Sequence, residues 1–145
     1  MYKKILVPLD GSKTAEGVLP HAKALAYAEG AEVVILNVAD NPAQEFAFSD
    51  PSIAGNVVAE QQQKAKDYVA KMSDKLKADG FKVSWEIREG SPANTILKMA
   101  DELGVDLIAM STHGRSWPGK WLLGSVAERV VRHSKTPVMM IRVGD

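Results

Sequence analysis

Ser111-Thr112-His113-Gly114 and Gly124-Ser125 are the residues of this chain whose types and spacing best suit ligand chemistry. The first run follows an apolar stretch at 107–110, and the second opens an amphipathic stretch at 126–133. A strand–loop–helix junction of this kind binds anions. Glycine lets backbone N–H groups approach a ligand, and a helix N-terminus adds unsatisfied donors and partial positive charge. A second polar group, Asp10-Gly11-Ser12, follows the apolar run at 5–7. A carboxylate there can accept two O–H bonds from a sugar. It serves equally well to cap the turn into the next helix. Ser125 has the same double reading, as a phosphate ligand or as the N-cap of the last helix.

Other patterns carry less. Residues 114–120 match Gly-x4-Gly-Lys, the start of a P-loop, but Trp121 stands where a Ser or Thr ligates Mg²⁺. Pro118 also removes a backbone donor from that cradle, so the match reads as coincidence. Trp117 and Trp121 suit packing or a subunit contact better than a lid over phosphates, and Lys120 suits solvent. His113 suits a loop hydrogen bond, while His21 and His133 have no partner at metal-ligand spacing. A phospho-acceptor receiver domain is disfavoured: there is a single Asp10, and the third strand ends in Arg88-Glu89 without an acceptor aspartate.

The chain's 145 residues suit one domain, 1–145, with room for a useful core. The 18 basic residues balance the 18 acidic ones, so no single-signed field favours nucleic acid or an anionic membrane. There is no cysteine, which excludes disulfides, thiolate metal sites and a cysteine nucleophile. No apolar run approaches the roughly 18 residues of a membrane span, and the N-terminal apolar run is too short for a signal peptide. The expected location is the cytoplasm.

The elements that must position these residues follow from periodicity. Residues 5–7 and 33–38 are continuous apolar runs, hence strands buried on both faces. A helix is predicted over 14–29, stopped by Gly30, with a bend or late start at Pro20. Residues 40–56 lack a period and read as a surface connection; a helix follows over 58–79 with a stripe at Ala65, Val69, Met72 and Leu76. Residues 81–88 alternate, with Phe81, Val83, Trp85 and Ile87 on one face, as an edge strand does. Ser91-Pro92 starts a helix that ends at Gly104. Residues 107–110 form a central strand, 126–133 a short helix, and 138–143 a fifth strand after Pro137. Strands alternating with helices predict an α/β fold: an open parallel five-stranded sheet, helices on both faces, spatial order 3-2-1-4-5. The strand order then reverses between strands one and four, where ligands bind beyond the strands' carboxyl ends.

The chain resembles a universal stress protein over nearly its whole length. The nucleotide-binding branch of that family carries Gly-x2-Gly-x9-Gly-Ser/Thr after strand four. Here Ser111 replaces the first glycine, while Gly114, Gly124 and Ser125 fill the remaining positions. The segments VPLDGS and LNV also resemble the family. The resemblance implies a Rossmann-like fold of the adenine nucleotide alpha hydrolase type. It implies ATP as ligand, with AMP or ADP as alternatives, and Mg²⁺ or Mn²⁺ on the phosphates. Asp10 would meet the ribose, the backbone of Val38 the adenine edge, and Pro8 and Met110 the base or sugar. Ser111, Gly114, Gly124, Ser125 and the Val126 N–H would hold phosphates, with Arg115 adding a charge-assisted contact. The implied role is a stress-response regulator that uses bound nucleotide as a signal, with at most slow hydrolysis and an unidentified regulatory protein partner. A nucleotide-free interaction module of the same family is the alternative. A slow ATPase or nucleotidyl-transfer enzyme is a third reading, but it wants an SGGxDS-type loop where this chain has PLDGSK. In the fifth strand, 138–143, Val138-Met139-Met140-Ile141 is apolar on both faces at a predicted edge, and a homodimer would cover it.

Overall fold

The structure, a computed structural model, describes residues 1–39, 51–113 and 123–143, with nothing said of the side chains at 51–54. The elements run β1 (Lys4–Pro8), α1 (Lys13–Glu16), α2 (Leu19–Glu29), β2 (Glu32–Ala39), α3 (Pro51–Ala78), β3 (Val83–Glu89), α4 (Pro92–Leu103), β4 (Leu107–Ser111), α5 (Ser125–His133) and β5 (Val138–Ile141). The sheet order is β3-β2-β1-β4-β5 and every pairing is parallel, as expected from the alternation of strands and helices.

Strand periodicity sorts the core into two layers. Ile5, Val7, Val33, Ile35, Leu107 and Ala109 point to the face covered by α1, α2 and α3, where Val18, Ala22, Val69 and Met72 pack. Leu6, Val34, Leu36, Ile108 and Met110 point to the opposite face, against Ile96 and Met99 of α4 and Val130 of α5. Two covered faces explain why the middles of these strands are continuous apolar runs rather than alternating. On β3 only Val83, Trp85 and Ile87 join a core, which is why it alternates.

Several boundaries differ from expectation, among them the end of the last strand, which stops at Ile141 and not at 143. The helix predicted over 14–29 is two helices, parted at Gly17 and Val18. Pro20 has no N–H to donate to the carbonyl four residues back, so α2 starts late, with proline in its first turn. Glycine is also required at the break: a Cβ on Gly17 would sit 2.6 Å from Val143 Cγ2. Helix α3 begins at Pro51, not near 58, because its first half projects exposed residues (Gly55, Asn56, Ala59 to Lys64) and leaves no apolar stripe to read. Strand β3 starts at Val83, two residues after Phe81, which instead packs against the core.

At the sheet's amino end, Asp106 joins β1 to β4. Its Oδ2 accepts from the N–H groups of Lys3 at 2.7 Å and Lys4 at 2.9 Å, and its own N–H donates to Lys4 O at 2.8 Å. Those backbone donors hold the carboxyl below the usual aspartate range. No helix among the described residues is long and apolar enough to cross a membrane.

Candidate functional site

From β1 the chain winds towards β2 and β3; from β4 it winds towards β5. The crossovers therefore part over the carboxyl ends of β1 and β4 and leave a crevice there. Its volume is about 850 Å³. Pro8, Asp10, Val38, Met110, Ser111, Gly124, Ser125 and Val126 all line it. Two further residues that sequence assigned to the site, Gly114 and Arg115, lie outside the described residues, as do Trp117, Lys120, Trp121 and the whole P-loop-like run.

Asp10 sits just beyond β1, in a turn that depends on Gly11 with φ at 89°. Its Oδ1 accepts from the N–H of Ser12 at 2.9 Å and from the Ser12 hydroxyl at 2.5 Å. Ser12 Oγ in turn accepts from Ala15 N at 3.1 Å, so Ser12, not Asp10, is the N-cap of α1. Asp10 thus fixes the cap instead of supplying it. Behind it, the buried Asn37 of β2 donates through Nδ2 to Leu9 O at 2.9 Å, and Leu9 N donates to Leu36 O at 2.9 Å. These bonds hold the first turn against the second strand.

On the other side of the crevice, Ser111 is buried and its hydroxyl donates to His113 O at 2.6 Å. Sequence left that proton for a phosphate; here it shapes the turn leaving β4. Thr112 N donates to Ile141 O at 3.0 Å, and Gly124 N donates to Thr112 O at 2.7 Å. The loop therefore returns to the sheet where it left it. Gly124, not Ser125, is the N-cap of α5, extended at φ −72° and ψ 166° and without a side-chain cap. The first-turn N–H groups of Ser125, Val126 and Ala127 have no intrahelical acceptor in such a helix. They border the crevice, and Gly124 keeps that approach clear of any Cβ. Met110 and Val38 belong to the α4–α5 side of the core and line the crevice from it.

Helix α3 supplies a wall that sequence reading missed. Gln61, Lys64, Ala65 and Tyr68 recur at helical spacing along the crevice, one step round from the core stripe. Lys64 is the only lysine or arginine among the described lining residues. Tyr68 Oη donates to Glu16 Oε2 at 2.8 Å. Burial, and then the Glu16 carboxylate, push the phenol well above its ordinary range. The signal available in sequence was the spacing of Gln61, Lys64 and Tyr68, which nothing tied to strand one. Asn37 had a clearer one, as a polar residue within the apolar run of β2.

Together these features define a doubly wound α/β domain with a polar crevice at its switch point. The chain matches the model of the Universal stress protein family over residues 1–142, and it belongs to that family. Universal stress protein MJ0577 of Methanocaldococcus jannaschii is 36% identical over 157 residues, covering 98% of this chain and 96% of that one. The solved structure of MJ0577 superposes with a TM-score of 0.88 over 100% of this chain and 99% of the other. A universal stress protein solved in complex with cAMP has a TM-score of 0.66 at 25% identity, covering 99% of this chain and 98% of that one.

Proposed function

We propose that this chain binds an adenine nucleotide, ATP by preference, in the switch-point crevice and acts as a regulator through the bound state. One observation carries the reading: the turn after β1, the turn after β4 and the uncapped start of α5 border one crevice. The family membership and the cAMP complex of a relative support it. Asp10 accepts the ribose hydroxyls, the Val38 backbone meets the adenine edge, and Pro8 and Met110 pack the base or sugar. The Ser125 and Val126 N–H groups donate to phosphate. Gly124 contributes by lacking a side chain, since its own N–H is engaged by Thr112. Ser111 shapes the approach from β4; Gly114 and Arg115, outside the described residues, are assigned to the phosphates on the family pattern alone. Among the described residues no three His, Asp or Glu side chains could together hold a metal. Mg²⁺ or Mn²⁺ would share the charge of the phosphates, as Mg²⁺ commonly does with substrate phosphates and water. Hydrolysis is at most slow, and the protein acts in the cytoplasm.

Calorimetric titration with ATP, with and without Mg²⁺, tests this reading. The expected result is saturable binding that Mg²⁺ strengthens; the absence of heat in both titrations would leave the nucleotide-free interaction module instead.

The functional unit is a homodimer paired through residues 138–143. Val138, Met139, Met140 and Ile141 are each only half-buried, and β5 stands at the open edge of the sheet. Apolar side chains on both faces of an unpaired edge invite a second copy across a two-fold axis. Sedimentation at micromolar concentration is expected to give twice the mass of one chain; a monomer refutes the pairing.

A further inference from the structure

We propose that Tyr68 is a positioning residue for Asp10: from α3, its hydroxyl holds the β1–α1 turn where Asp10 meets a ribose. The proposal rests on the nucleotide reading of the crevice and deepens it by assigning a residue that governs sugar recognition.

Helix α1 is four residues long, too short to hold its own geometry. Ser12 caps its start and is itself tied to Asp10 Oδ1. Glu16 closes its last turn and receives the Tyr68 hydroxyl at 2.8 Å. Tyr68 therefore holds the turn from its far end, through Glu16, while lining the same crevice as Asp10. The anchor is firm: one residue along, Val69 is fully buried, and Met72 and Leu76 continue the packed stripe of α3. A short turn fastened to a packed helix keeps its carboxylate within the narrow tolerance that recognition needs.

The test compares ATP with 2′,3′-dideoxy-ATP, which lacks the hydroxyls Asp10 would read. Wild-type protein is expected to favour ATP at least about tenfold, the size of a hydrogen bond to a charged group. Tyr68→Phe should shrink that preference to within roughly twofold, with ATP affinity falling more than dideoxy-ATP affinity. Glu16→Gln, whose amide oxygen still accepts the phenol proton, should keep the preference, and Glu16→Ala should lose it. An unchanged preference in Tyr68→Phe overturns the proposal, and equal losses for both ligands overturn it in favour of a role in the crevice wall alone. If the wild-type chain binds neither nucleotide, the reading of the crevice fails first and this assignment falls with it. Binding of both with no preference leaves that reading standing and refutes this one.

Discussion

An aspartate stands at each end of the sheet, and the two differ in what their bonds join. Asp106, at the amino end, takes both its backbone donors from the start of β1 while standing just before β4. It fastens two strands and is not among the residues lining the switch-point crevice. Asp10, at the carboxyl end, has its described Oδ1 bonds inside its own turn, to Ser12 two residues on. It holds a local shape and borders a cavity. The difference follows from chain direction. In a parallel sheet every strand's carboxyl end leads towards a helix start, where backbone donors lack partners. At the amino end the chain arrives from a helix's last turn, and a carboxylate is most useful pinning strands.

The largest expected contrast is in affinity. Asp10→Ala should weaken ATP binding about 10- to 100-fold, the loss of hydrogen bonds to a charged acceptor, with a minor change in Tm. Asp106→Ala should do the reverse, lowering Tm while leaving the titration curve where it was. If Asp106→Ala weakened binding as much as Asp10→Ala, the division between a fastening end and a binding end would collapse.

Legibility divides along the same line. Strand order and two-sided burial were readable because each central strand carries a continuous apolar run: Ile5, Leu6 and Val7 have no exposed surface, and neither do Val33 and Ile35. Pro20 announced the late start of α2 because a missing N–H has a fixed consequence. Asp10 and the Ser111–Gly124 frame were readable because turn residues act locally. What escaped depends on contacts across the chain. Tyr68 and Glu16 lie 52 residues apart, and no local period joins them. The first half of α3 escaped because exposed residues fix no phase, so Pro51 looked like part of a loop. The Ser125 cap moved to Gly124 because the Gly124 N–H is claimed by Thr112, a partner set by the return of the loop to β4.

The smallest expected effect separates the two ends by pH. Asp106 titrates below its ordinary range because two backbone N–H groups favour its charged form. Its contribution is therefore complete above the unfolded value of about 4 and is lost as pH falls through the lower folded value. Tyr68 is shifted the other way, raised first by burial and then by Glu16, so the folded chain holds its proton more tightly than the unfolded one. Its contribution is complete below the unfolded value of about 10 and declines as pH rises towards the folded one. Ionising it would bring a phenolate against the Glu16 carboxylate across the 2.8 Å bond. Denaturant unfolding of wild type, Asp106→Asn and Tyr68→Phe over a wide pH range reads both. The wild-type advantage over Asp106→Asn should begin to fall below about pH 4 and vanish only below the lower folded value. The advantage over Tyr68→Phe should persist there and shrink only above about pH 10. Subtracting each variant removes the background titration of the lysines and other carboxylates, which all three proteins share. Curves that run parallel to wild type at both extremes would mean that neither group's proton is tied to folding, and the amino end would then lose its claim to be the fastened one.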